Sequence, residues 1–231
     1  MNASMLLKGG LLLDPSSQKE TTCDVRIVDG DVMELGADLQ PGSAEQVVDA
    51  SGLWITPGFI DLHTHLRDFG QSDRETIETG TQAAAAGGFT TVLAMANTDP
   101  PIDNGAILCQ LMCKIEEHAH IEVLPVACVT KGMAGKELTS MVELAGAGAA
   151  AFSDDGMPIA NMAVLRRALE YAKLADRLII SHPEDTDLSG GGSMHECSVS
   201  TSLGLAGIPA ASESAAVARE IEVVRQTGCR L

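Results

Sequence analysis

Two rhythms of hydrophobic and polar positions run along the chain. Over residues 1–55, short aliphatic and β-branched runs (MLLKGGLLLD, CDVRIV, DVMELG, QVVDASGLWIT) are divided by Gly9-Gly10, Asp29-Gly30 and then Pro57-Gly58. Such punctuation predicts short strands joined by hairpins and turns, a small β domain. From Gly58 the rhythm lengthens. Apolar runs FIDLHTHL, TTVLAMAN, EVLPVACVT, AAAFSDDG and RLIISHPE recur about every 30 residues. Between them lie the helical stretches RETIETGTQAAAAGG, AILCQLMCKIEEHAH, ELTSMVELAGAG and NMAVLRRALEYAKLAD. In the last of these, Met162, Leu165, Leu169 and Ala172 form an apolar stripe, with Arg166, Arg167, Glu170 and Lys173 facing away. After His182 and a long Gly/Ser-rich loop, a further helix is expected with Val217, Ile221 and Val224 on one side.

Alternating buried strands and amphipathic helices predict an α/β fold with a parallel sheet. An open nucleotide-binding sheet lacks its usual signature, because no strand is followed by G-x-G-x-x-G or G-x-x-x-x-G-K-[ST]. Instead, polar residues capable of chemistry stand at strand carboxyl ends. His63, His65 and Arg67 follow the first, Asn97 the second, Asp154 and Asp155 the fourth, and His182 the fifth. Active sites of (β/α)8 TIM barrels are built from those ends, so the barrel is the expected architecture. The domain division expected is 1–55 for the β portion and 56–231 for the barrel portion. About five β/α units are present where a barrel has eight. The expectation is therefore a barrel truncated after Leu231, and a chain that is not active alone.

Composition narrows the partners. The apolar fraction of 45% and charged fraction of 20% suit a globular core, which aromatics at 3% leave to aliphatic side chains. A net charge of −17 disfavours nucleic acid and acidic membrane surfaces. The amino-terminal apolar run is broken by Lys8, Gly9 and Gly10, too short to span a membrane and unlike a secretion signal. Six cysteines without a C-x-x-C read as reduced thiols, and the expected location is cytoplasmic. Cys109 and Cys113, four apart on one helix, are expected to be small buried side chains.

His63-Thr64-His65 places two imidazoles on one face of a strand. Joined by Asp155 and His182 from later strand ends, they form a nitrogen and oxygen donor set that suits Zn²⁺ with a position left for water. Such an ion lowers the pKa of its water to about 7 and polarises a carbonyl, which serves hydrolysis of an unactivated amide. Asp154 is expected to cap or support rather than to bind. His118 and His120, at a helix end, and His195, on a loop, are expected to lie outside the site.

The stretches GFIDLHTHLRDFG, ETIETGTQAAAAGGFTTVLAMANTDPP, AFSDDG, IISHPED and MHE…STSLGLAGIPAASES resemble the class I bacterial dihydroorotases of the metal-dependent amidohydrolase superfamily. H-x-H alone indicates only the superfamily, whereas H-L-R and the later N-T-x-P separate dihydroorotases from hydantoinases and allantoinases. The resemblance implies a small N-terminal β-sandwich and a TIM barrel holding one or two Zn²⁺ ions. It implies His63 and His65 as ligands of the first ion, Asp155 as the bridging ligand and His182 as a ligand of the second. Arg67 and Asn97, with His65 beside them, would hold the substrate carboxylate, as a guanidinium fork does best. The reaction implied interconverts L-dihydroorotate and N-carbamoyl-L-aspartate in pyrimidine (UMP) synthesis, with metal-bound hydroxide attacking the ring amide. The partners implied are that small substrate, further copies of the chain and aspartate transcarbamoylase. A hydantoinase or dihydropyrimidinase-like hydrolase and a non-catalytic dihydroorotase-like scaffold are the alternatives.

Three departures from the family pattern stand out. Asp68-Phe69 replaces its Glu-Pro, and Cys197 replaces a glycine. The later metal histidine and general-base aspartate are expected beyond the end of the chain. The fourth run, AAAFS, has no lysine to bridge two metals, which leaves that role to Asp155; Lys131 is a poor substitute, expected to be a solvated loop charge.

Overall fold

The computed structural model describes residues 4–231, which separate into two compact units, the chain dividing between Gly58 and Phe59. The first unit contains β1 (Ser4–Asp14), β2 (Lys19–Val28), β3 (Asp31–Gly36), β4 (Gln46–Asp49) and β5 (Trp54–Ile55). They form one sheet in the order β3-β2-β1-β4, with β5 also on β1. The β2–β3 hairpin turns on Asp29 and Gly30, both at positive φ (54° and 92°), the backbone that a two-residue type I′ turn requires. Buried Asp24 ties the unit together by accepting from the backbone N–H groups of Gly9 and Leu39, both at 2.8 Å. The expected β-sandwich is seen here as one layer only. Among the described residues all five strands pair side by side around β1, and Val32, Met33, Leu35, Val47, Leu53 and Trp54 are left exposed.

The second unit opens with β6 (Phe59–Thr64), α1 (Ile77–Ala86), β7 (Phe89–Ala94), α2 (Gly105–His118) and β8 (Glu122–Ala127). It continues with α3 (Met141–Gly146), β9 (Ala151–Phe152), α4 (Met162–Leu174) and β10 (Leu178–Ile179). The five strands are parallel and lie in chain order, half of a barrel wall. Side-chain alternation sorts them to two faces. Val92, Ala94, Ala127, Phe152 and Ile179 join the main core with Leu108, Leu144, Leu165 and Leu169 of the helices. Leu93, Met95, Val126 and Ala151 form a smaller cluster on the other face, with Leu124, Leu178 and Ile180 against it. Thr64 pairs with Ala94, which faces the helices, so His63 and His65 belong to the opposite face. The first strand is an edge strand, and Phe59, Ile60 and Leu62 are 56%, 61% and 61% exposed.

The loop expected after His182 contains more structure than its composition suggests. It holds α5 (Thr186–Ser189), β11 (Met194–His195), α6 (Ser198–Leu203) and β12 (Gly207–Ile208), with β11 and β12 paired in parallel. The chain ends with α7 (Ala211–Thr227) packed on α4. The expected helix carrying Val217, Ile221 and Val224 is present, but Val217 and Ile221 are exposed. α7 instead buries Ser212, Ala216 and Glu220, with Val223 and Val224 partly covered. Cys109 and Cys113 also prove exposed, since α2 packs through Leu108 and Leu111. No helix of the described residues is long and apolar enough to cross a membrane.

Candidate metal centre

Three strand ends meet at Asp155. His63 is the penultimate residue of β6 with His65 just past its end, Asn97 lies three residues past β7, and Asp155 lies three residues past β9. His63 Nε2 is 3.4 Å from Asp155 Oδ1, and His65 Nε2 is 3.4 Å from Oδ2. The two rings meet edge to face, with centroids 5.2 Å apart. His182, three residues past β10, brings Nδ1 to 3.4 Å from the same Oδ1. Asp155 itself is buried.

That separation is long for a charge-assisted hydrogen bond. It is close to the edge of a tetrahedron whose centre lies roughly 2.0–2.1 Å from each ligand, which works out at about 3.4 Å. Among the described residues, His63, His65 and Asp155 are the group whose ligating atoms all fall within 4.8 Å of one another. Imidazole nitrogen with carboxylate oxygen suits a divalent ion of zinc type, so these residues fit the implied metal.

The surroundings hold the ligands in place. Asn97 Oδ1 is 2.9 Å from His65 Nδ1, and its Nδ2 donates to Asp155 Oδ2 at 3.2 Å. Glu184, which sequence reasoning passed over although it stands two residues after His182, places Oε2 3.3 Å from His182 Nε2. An open hollow of about 360 Å³ adjoins Asp155, lined in part by Asn97, Thr98, Gly132 and Met133. Arg67 adopts φ +58° and is half-buried, and among the described residues no carboxylate pairs with its guanidinium. Its loop is pinned on both sides. Gly70, at φ +84°, lies so close to Asp99 that a Cβ would fall 2.5 Å from the Asp99 carbonyl oxygen, and Asp99 N–H donates to Phe69 O at 3.1 Å. Asp68 is buried and accepts from Ser72 Oγ, Ile77 N–H and Lys114 Nζ. Burial would push its carboxyl up, but those three donors together hold it below the usual range. Asp68 in place of glutamate thus serves as an internal anchor of the loop.

The other singled-out residues lie elsewhere. Asp154 turns to the neighbouring strand end, accepting from Val129 N–H at 2.8 Å, Thr130 N–H at 3.1 Å and the Thr130 hydroxyl. Its burial pushes the carboxyl up, against the pull of those donors. Lys131 pairs with Glu137 on the surface. His118 and His120 contact Glu117 and Gln82, and His195 is exposed on β11. Cys197 caps α6, where the backbone N–H groups of Ser200 and Val199 draw its thiol below the ordinary range.

Residues 52–231 match the family model described as dihydro-orotase-like. The chain is 49% identical over 228 residues to a dihydroorotase of Pelotomaculum thermopropionicum, covering 98% of this chain and 53% of that protein. A dihydroorotase of Citrifermentans bemidjiense is 49% identical over 225 residues, again across 53% of its length. The chain thus spans about half the length of the curated relatives it matches. Among solved structures, an L-hydantoinase (dihydropyrimidinase) of Arthrobacter aurescens superposes with a TM-score of 0.81 at 21% identity, covering 100% of this chain and 52% of that one. A D-hydantoinase superposes at 0.75 with 23% identity, over 98% of this chain and 50% of its own. At that identity the likeness is one of fold.

Proposed function

From the premise that this chain belongs to the dihydro-orotase-like family, we propose that it carries the amino-terminal half of a dihydroorotase site. That site interconverts L-dihydroorotate and N-carbamoyl-L-aspartate. The observation that carries the reading is the convergence of His63, His65 and His182 on Asp155, each at 3.4 Å. His63, His65 and Asp155 would hold one zinc ion, with Asp155 and His182 available to a second. A divalent ion in that place supplies an acidified water and a polarised amide carbonyl.

The chain's own residues supply the rest. The Arg67 guanidinium, without a carboxylate partner among the described residues, offers a bidentate fork to the substrate carboxylate, and Asn97 offers its second amide hydrogen beside it. Asp155 would serve as a ligand rather than as the general base, a role the resemblance gives to a later aspartate. In the same reading residues 1–55 form one layer of a small β-sandwich, whose exposed Val32, Met33 and Trp54 a second layer would cover. Residues 56–231 form the first part of the barrel. Self-association and an aspartate transcarbamoylase partner follow from the resemblance alone, and a cytoplasmic location from the reading of the cysteines as reduced thiols.

The test is turnover of L-dihydroorotate and of hydantoin by the protein at the length its gene encodes, metal-loaded and after chelation. Chelatable turnover of dihydroorotate well above hydantoin is expected. Preference for hydantoin would favour the hydantoinase alternative, and inertness toward both would favour the scaffold.

A further inference from the structure

Asn97 is expected, from the resemblance, to touch substrate. In this structure its amide is already engaged at both ends by the candidate ligands, and the engagement has a direction. Asp155 is a carboxylate and can only accept, so the atom 3.2 Å from its Oδ2 must be the amide nitrogen. The amide oxygen therefore faces His65 Nδ1, at 2.9 Å, and an oxygen can only accept. His65 must then carry its proton on Nδ1. A neutral imidazole with a proton there has its lone pair on Nε2, the atom that stands 3.4 Å from Asp155 Oδ2 and within the ligand group. One carboxamide fixes the ring tautomer, its rotation and the carboxylate.

We propose that Asn97 is a positioning residue of the metal centre: it locks His65 as the Nδ1-protonated tautomer and steers Asp155 Oδ2 toward the same point. Among the described residues no other side chain does both. Thr64 Oγ1 donates to Leu93 O, and the remaining polar neighbour at this strand end, Thr98, donates to Pro100 O. The role does not displace substrate contact, because the second amide hydrogen and the second oxygen lone pair remain available. Partners of this kind typically change metal affinity by about 10–100-fold when removed. The inference rests on the proposed metal-dependent reading for its chemistry, not on dihydroorotate as the substrate.

The test compares wild type with Asn97→Leu, which removes both hydrogen bonds at similar volume, and with Asn97→Asp, which keeps an acceptor toward His65. Zinc affinity by chelator competition should fall about 10–100-fold in Asn97→Leu. Histidine 15N–1H correlation spectra of the metal-free protein at pH above 8 should show His65 protonated on Nδ1 in wild type and Asn97→Asp. In Asn97→Leu that signature should be lost, with the melting temperature of the metal-free protein serving as the folding control. Wild-type zinc affinity in a folded Asn97→Leu, or an Nε2-protonated His65 in wild type, would overturn the proposal. If affinity and tautomer behave as expected while dihydroorotate is not turned over, the positioning role stands and the dihydroorotase reading falls.

Discussion

At the end of β9, two consecutive carboxylates enter two different kinds of surroundings. Asp154 accepts from Val129 N–H, Thr130 N–H and the Thr130 hydroxyl, so its lone pairs are taken up by the adjoining strand end. Asp155 receives a single hydrogen bond, from Asn97, while three imidazole nitrogens stand 3.4 Å away. Burial does not separate them, since they are 5% and 7% exposed. What separates them is whether the protein's own donors saturate the oxygens. A saturated buried acid holds a fold together, and an unsaturated one among imidazoles is a ligand in waiting.

The sharpest break in that contrast comes from the acids themselves. Asp155→Ala removes the oxygens on which all three histidines converge. Bound zinc, measured by elemental analysis after dialysis, should fall by more than the roughly 10–100-fold expected for losing an outer partner, with the melting temperature of the metal-free protein little changed. Asp154→Ala should do the reverse. It strands buried donors on Val129 and Thr130, each costing about 1–3 kcal/mol, so denaturant unfolding should show a loss of about 3 kcal/mol or more. Zinc binding by the fraction that remains folded should persist.

Asp68 extends the contrast to the loop that carries Arg67. Asp68→Asn should cost about 1.5–3 kcal/mol at neutral pH, the value of a hydrogen bond to a charged acceptor. The cost should depend on pH with a definite sign. The unfolded carboxyl titrates near 3.8 and the folded one lower, so between those values the unfolded chain binds more protons. Stability from Asp68 is complete above about 3.8 and is lost as pH falls through the folded value. Wild type should therefore approach the variant in acid, in unfolding curves taken across that range. The smallest effect belongs to Cys109→Ser and Cys113→Ser, which should change stability by less than about 0.5 kcal/mol because both side chains are exposed.

Much of this arrangement is legible in the residues. The five apolar runs from Phe59 onward become β6 to β10 in order. β7 to β9 read as continuous apolar stretches because parallel strands buried on both faces do so, whereas the equally apolar β6 is left exposed at the edge. H-x-H on a strand brings its two rings to one face, as period-two geometry requires. Other features depend on which neighbour arrives. α7 buries Ser212, Ala216 and Glu220 rather than Val217 and Ile221, and periodicity alone does not say which face the neighbouring elements cover. Cys109 and Cys113 share a helix face, but not the one Leu108 and Leu111 bury. The Gly/Ser-rich stretch after His182 carries β11 and β12, whose pairing is too short to leave a pattern. Likewise the engagement of Asn97 with both His65 and Asp155 joins three strand ends and exists only in the folded chain.

One metal ion held by His63, His65 and Asp155 is what the proposed chemistry requires first. Crystals grown with zinc and measured on both sides of its absorption edge test this directly. The expected result is an anomalous peak about 2.0–2.2 Å from His63 Nε2, His65 Nε2 and an Asp155 oxygen. A peak elsewhere in the chain, or none there at saturating zinc, would contradict it.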